Sequence, residues 1–177
     1  MMLKQLLAIA FIGSLFLTGS PVSAADPEIS QFVGEYLGRS VQAAPHAILL
    51  PRDLTIKISL REPDGFTLEW STLILDRRGE RLQSYSIDFS PTSRPGLFSV
   101  RTSDPLKVEP YLWATISGHT LTVHELLVDD DGGYEMQIYQ RTLTAHGMKL
   151  QFFRNRNGQP LKTINGTLVR KAVPHED

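Results

Sequence analysis

Leu54-Thr55-Ile56-Lys57-Ile58-Ser59-Leu60-Arg61 is the run on which the reading of this chain turns. Leu54, Ile56, Ile58 and Leu60 alternate with Thr55, Lys57, Ser59 and Arg61, the period-two pattern of a strand with one buried face. Pro63-Asp64-Gly65 follows. Proline pre-sets the first turn residue and glycine accepts a positive φ, so the chain turns tightly there. Beyond the turn the alternation resumes at Phe66, Leu68, Trp70, Thr72 and Ile74. Residues 54–74 therefore read as a β-hairpin.

The same period recurs outward from this hairpin, and no long segment has helical periodicity. A turn at 76–79 leads into a strand through Tyr85, Ile87 and Phe89. A proline-bearing loop at 90–96 precedes a short strand at 97–101, and 102–110 is a second loop. Strands at 111–116 and 120–128 flank Ser117-Gly118-His119, and 129–133 turns into a strand at 134–143. The strand at 148–156 ends at Asn157-Gly158, the strongest short-range hairpin signal in the chain. A last strand at 161–171 leaves a flexible tail at 172–177.

Eight to ten strands joined mostly by short turns predict an all-β fold. The expected form is a single antiparallel up-and-down β-barrel over residues 32–171, which closes on itself and leaves no edge. A β-sandwich is the alternative. It needs longer crossing connections, which only 41–53, 90–96 and 102–110 supply.

Toward the N-terminus the pattern changes. Lys4 precedes an almost wholly apolar stretch from Leu6 to Thr18. That length suits a signal-peptide core and falls short of the roughly 20 residues of a membrane-spanning helix. Gly19, Ser20 and Pro21 break it, and Val22-Ser23-Ala24 offers small residues to a signal peptidase. Residues 1–24 are expected to be a cleaved leader, with cleavage after Ala25 as second choice and 25–31 as a lead-in to the barrel. The expected location is periplasmic or secreted, with no integral membrane segment after cleavage. The chain has no cysteine, so its stability must come from its core rather than from disulfides. It carries 18 basic residues, one of them Lys4 in the leader, against 19 acidic ones. Such a balance gives no attraction to nucleic acid or anionic lipid.

The first strand opens Phe32-Val33-Gly34-Glu35-Tyr36-Leu37-Gly38. This resembles the opening of the calycin superfamily, the lipocalin-like barrels that include lipocalins and fatty-acid-binding proteins. There a glycine two residues before an aromatic, usually tryptophan, starts the barrel. The resemblance implies that Gly34 lets the backbone bend and that Tyr36 plugs the closed end. It also implies that an arginine from the end of the barrel packs on the aromatic, with Arg170 as the match and Arg154 as substitute. A cup-shaped barrel with a pocket for a small, mostly apolar ligand follows from the same resemblance.

Candidates for the inward face, and so for ligand binding, are Ile56, Ile58, Phe66, Leu68, Trp70, Tyr111, Trp113, Leu121, Val123, Met136, Ile138, Leu150 and Phe152. These residue types either fill a barrel or line a pocket. No catalytic constellation, phosphate loop or dinucleotide fingerprint is present, and no cofactor is implied. His124 and Glu125 are adjacent, so on a strand they point to opposite faces and cannot share a metal. Asp129-Asp130-Asp131-Gly132-Gly133 lacks the alternation of a calcium loop and reads as a solvated turn. The leading function is an exported binding protein for a small hydrophobic or amphipathic molecule. A second is an envelope interaction module or inhibitor with a filled barrel, a protein partner and functional loops at 90–96 and 102–110. An outer-membrane barrel would need longer strands and a terminal aromatic, and an enzyme would need a grafted site.

Overall fold

The computed structural model describes residues 28–43, 52–76, 79–100 and 110–172. The expected leader, residues 25–27 of the lead-in, residues 102–109 of the second loop and residues 173–177 lie outside them. Within them, a single 3₁₀ turn, Ile29–Phe32, precedes ten strands. These are β1 (Gly34–Ala43), β2 (Arg52–Arg61), β3 (Gly65–Asp76), β4 (Gly79–Pro91) and β5 (Leu97–Ser99). They continue as β6 (Tyr111–Ser117), β7 (Thr120–Val128), β8 (Tyr134–Thr144), β9 (Gly147–Arg156) and β10 (Gln159–Arg170).

Each strand pairs antiparallel with its sequence neighbours, and β1 pairs with β10 to close the barrel. The fold is thus an all-β, ten-stranded up-and-down barrel, and the closure removes the sandwich alternative. Among the described residues no helix is long and apolar enough to cross a membrane.

The central hairpin has the expected register, with Ile58 opposite Leu68 and Ile56 opposite Trp70. Its turn differs in one detail. The left-handed residue is Asp64, at φ 54°, while Gly65 already belongs to β3. Aspartate tolerates that region because its short polar side chain can bond locally. Asn157 and Gly158 both have positive φ, 49° and 78°, as a tight two-residue hairpin turn requires.

One end of the barrel is filled. Phe32, Tyr36, Ile58, Phe66, Leu68, Phe89, Leu121, Val123, Met148 and Leu168 are all buried there. Phe66 stacks on Phe89 at 4.8 Å between ring centroids and meets Phe98 edge-on at 5.1 Å. The 3₁₀ turn caps this end through buried Ile29 and Phe32.

Arg170 locks the cap to the wall. Its guanidinium lies 5.3 Å from the Tyr36 ring centre and donates to the Tyr36 hydroxyl, to Gln31 O and to Val33 O, the last two at 2.9 Å. The Tyr36 hydroxyl in turn donates to Phe32 O at 2.9 Å. Gly34 has φ 148°, and a Cβ there would stand 3.2 Å from Arg170 Nε. Glycine at this position permits both the bend and the arginine's approach. Arg154, the substitute match, stands elsewhere, on β9 against Glu135.

At the seam between β1 and β10, Gly38 stands opposite Leu168. A Cβ at Gly38 would overlap the Thr167 carbonyl oxygen and crowd Leu168 Cα, both backbone atoms that cannot swing aside. Gly38→Ala should therefore lower unfolding stability by about 1–3 kcal/mol, the range for overpacking. Urea unfolding checks this, and an unchanged midpoint would contradict so close a seam.

Candidate functional site

Toward the other end the interior opens into a cavity of about 400 Å³, within the range of small-molecule sites. The filled half takes its inward positions from the starts of β1, β3, β7 and β9. The open half takes them from the opposite ends of the same strands, among them Ser40, Thr72, Glu125 and Phe152. Leu54, Ile56, Ile87, Leu112, Leu150, Phe152 and Ile164 supply its apolar wall. Trp70 on β3 and Tyr139 on β8 approach each other across the barrel, 6.0 Å between ring centres. Trp70 also stacks on Tyr85 at 4.9 Å, and Tyr139 contacts Phe152 at 4.7 Å. The cavity therefore has aromatic surfaces on several sides.

Its polar groups come chiefly from β8, where Glu135, Gln137, Tyr139 and Arg141 all face inward. At the mouth, Arg154 grips Glu135 through two bonds, Nε to Oε1 at 2.8 Å and Nη2 to Oε2 at 2.7 Å. Gln137 donates to Glu135 and accepts from the Tyr139 hydroxyl, both at 2.9 Å. Arg141 ends the row, only 2% exposed. Among the described residues its Nε and Nη1 have no hydrogen-bond partner. Burial lowers its pKa to about 10, still far enough above neutrality to keep the guanidinium charged. Glu125 on β7 faces the same space, opposite Gln137. Desolvation, helped by the neighbouring Glu135 charge, raises its pKa. Burial likewise raises that of Tyr139.

The Arg154 bond holds the Glu135 carboxyl below the usual range. A depressed carboxylate stabilises the fold above its unfolded pKa, and that contribution disappears as pH falls through the folded value. Glu135→Gln should therefore flatten the acid limb of a stability–pH profile recorded from about pH 6 down to about pH 3. The loss at neutral pH should stay near 1 kcal/mol or below, because Arg154 is 43% exposed and water screens the pair. A profile identical to that of the unaltered protein would deny the pair any role in acid stability.

The residues expected to face inward divide into three groups. Ile56, Trp70, Leu150 and Phe152 line the cavity. Ile58, Phe66, Leu68, Leu121 and Val123 belong to the filled end. Tyr111, Trp113, Met136 and Ile138 require correction, for they lie on the outer face. On β6 the inward positions are Leu112, Ala114 and Ile116, and on β8 they are the polar row just described. Trp113 instead stacks flat on outward His124, 4.7 Å away and 3° from parallel, and Ile138 pairs with His124 from the other side. Burial beside these neighbours lowers the His124 pKa.

Sequence reasoning missed Arg141, Tyr139, Gln137, Glu125, Tyr85 and Leu112. The expectation that Met136 and Ile138 face inward leaves Glu135, Gln137, Tyr139 and Arg141 for the outer face, the reverse of what β8 does. Among the described residues no cluster of three metal-ligating side chains occurs. Asp129 instead accepts from Arg156 at 2.5 Å, and Asp131 from the Gly133 amide at 3.0 Å.

No family model matches the sequence, and no curated protein does. Among solved structures, a protein of unknown function from the DUF3598 family of Nostoc punctiforme matches with a TM-score of 0.56 and 14% identity, covering 87% of this chain and 53% of that one. The chain thus spans about half the length of that protein. Rv2717c from M. tuberculosis matches with a TM-score of 0.53 and 13% identity, covering 81% of this chain and 95% of its own. The S-type phycobiliprotein lyase CPES from Guillardia theta covers 82% of this chain and 92% of its own, with a TM-score of 0.39 and 9% identity. At these identities the first two likenesses show a shared barrel fold, and the third bears no weight.

Proposed function

We propose that the protein is an exported carrier that holds one small, mostly apolar molecule inside the barrel. The observation that carries this reading is the cavity of about 400 Å³ walled by Leu54, Ile56, Trp70, Leu112 and Phe152. A filled barrel, as an interaction module would have, leaves no such space. The apolar leader and its small-residue site support export to the periplasm or beyond the cell. The outer wall carries the ion pairs Lys57–Glu69 at 2.9 Å and Arg61–Asp88 at 3.4 Å. Such ion pairs are out of place on a lipid-facing wall, which supports a carrier working in water.

The test is native mass spectrometry of the protein expressed with its leader and purified without detergent, followed by titration with 2-naphthalenemethanol. A chain starting at Ala25 and a one-to-one complex, either co-purified or formed in the titration, are expected. A chain that neither carries nor takes up a small apolar molecule would overturn the carrier. A retained leader would overturn the export.

A further inference from the structure

Resting on the carrier reading, we infer that the bound molecule is an organic anion, with a flat apolar body and one carboxylate held at the inner end of the cavity by Arg141. Arg141 is only 2% exposed, so its guanidinium has lost its hydration, which is costly for an ion. Proteins offset that cost with a counter-ion or a full set of acceptors. Among the described residues Arg141 has neither, as its Nε and Nη1 find no partner there. The Tyr139 and Trp70 rings stand 5.6 and 6.0 Å from its Cζ, at the outer limit of cation–π attraction, and a ring face offers no lone pair to an N–H.

Among the described residues, the carboxylates that face the cavity do not serve it. Glu135 is engaged by both bonds from Arg154. Glu125 lies nearer the mouth, opposite Gln137, whereas Arg141 is paired with Leu121 and Leu150. A pair of unmatched N–H donors on a planar fork fits a carboxylate edge, which accepts two parallel bonds. The neighbouring Trp70, Tyr85, Tyr139 and Phe152 surfaces suit a flat apolar body. Glu125, half-way along the route, disfavours a second negative charge, which argues for a monoanion.

The probes are three near-isosteres of different charge: 2-naphthoate, 2-naphthalenemethanol and 2-naphthylmethylammonium, titrated calorimetrically against the mature protein. Naphthoate should bind about tenfold or more tightly than the alcohol, the scale of a hydrogen bond to a charged group, and the ammonium should bind most weakly. Arg141→Met should abolish the preference, so that naphthoate and the alcohol bind that variant about equally, and Arg141→Lys should retain part of the preference. If the alcohol and naphthoate bind equally to the unaltered protein, the anion inference is overturned and the carrier stands. If none of the three binds, the carrier reading falls and takes the inference with it. The order of the probes on the unaltered protein decides the matter even if Arg141→Met does not fold.

Discussion

Phe66→Ala should cost about 3–5 kcal/mol of unfolding free energy, the range for removing a buried aromatic. Phe66 is wholly buried and touches two further rings, stacked on Phe89 and edge-on to Phe98. Its backbone is fixed between Leu60 of β2 and Phe89 of β4. A closed hydrogen-bonded wall cannot collapse inward to fill the void, so the cavity penalty should be felt nearly in full. Phe152→Ala is the control. Phe152 is also buried, but one side of it borders existing open space, so its removal enlarges a cavity rather than creating one. It should cost clearly less. Urea unfolding with a common slope compares the two. Equal losses would mean that the filled end is not where this cysteine-free chain keeps its stability.

That contrast also explains which parts of the structure could be read from the residues alone. In β2 and β3 one face is apolar and the other polar, so the alternation determined strand, register and facing together. The tight turns at 117–119 and 157–158 joined neighbouring strands without ambiguity, and the up-and-down order followed. The facing of β6 was harder, because both of its faces are apolar: Leu112, Ala114 and Ile116 on one, Tyr111 and Trp113 on the other. Size favoured the aromatic set, yet the small Ala114 is the residue that fits a filled interior. In β8 the usual rule is inverted. Met136 and Ile138 face outward, and Glu135, Gln137, Tyr139 and Arg141 face inward. A polar row belongs inside a barrel where the interior is reserved for something other than side chains. The strand that broke the hydrophobic rule is thus the one that equips the candidate site, as expected where function competes with packing.

Filling the cavity should have the opposite signature to Phe66→Ala. Leu54 on β2 and Leu112 on β6 both face the open space, from well-separated strands. Leu54→Trp combined with Leu112→Trp introduces two indole rings where the barrel has room, so the overpacking penalty that applies in a filled core does not arise. Added apolar contact should hold or raise stability, by about 0.5–2 kcal/mol for a cavity-filling change. Binding of 2-naphthalenemethanol should meanwhile weaken by about a hundredfold or more, since the site must exclude either the rings or the probe. Arg141 is untouched by the change, so the loss would report occupied volume rather than altered charge. Calorimetry and thermal unfolding on the same preparation measure the two effects together. Probe affinity that survives alongside raised stability would place the binding surface outside the barrel. Lost affinity with lost stability would show only that the wall had been damaged. Lost affinity with stability retained is the outcome that ties binding to the interior space.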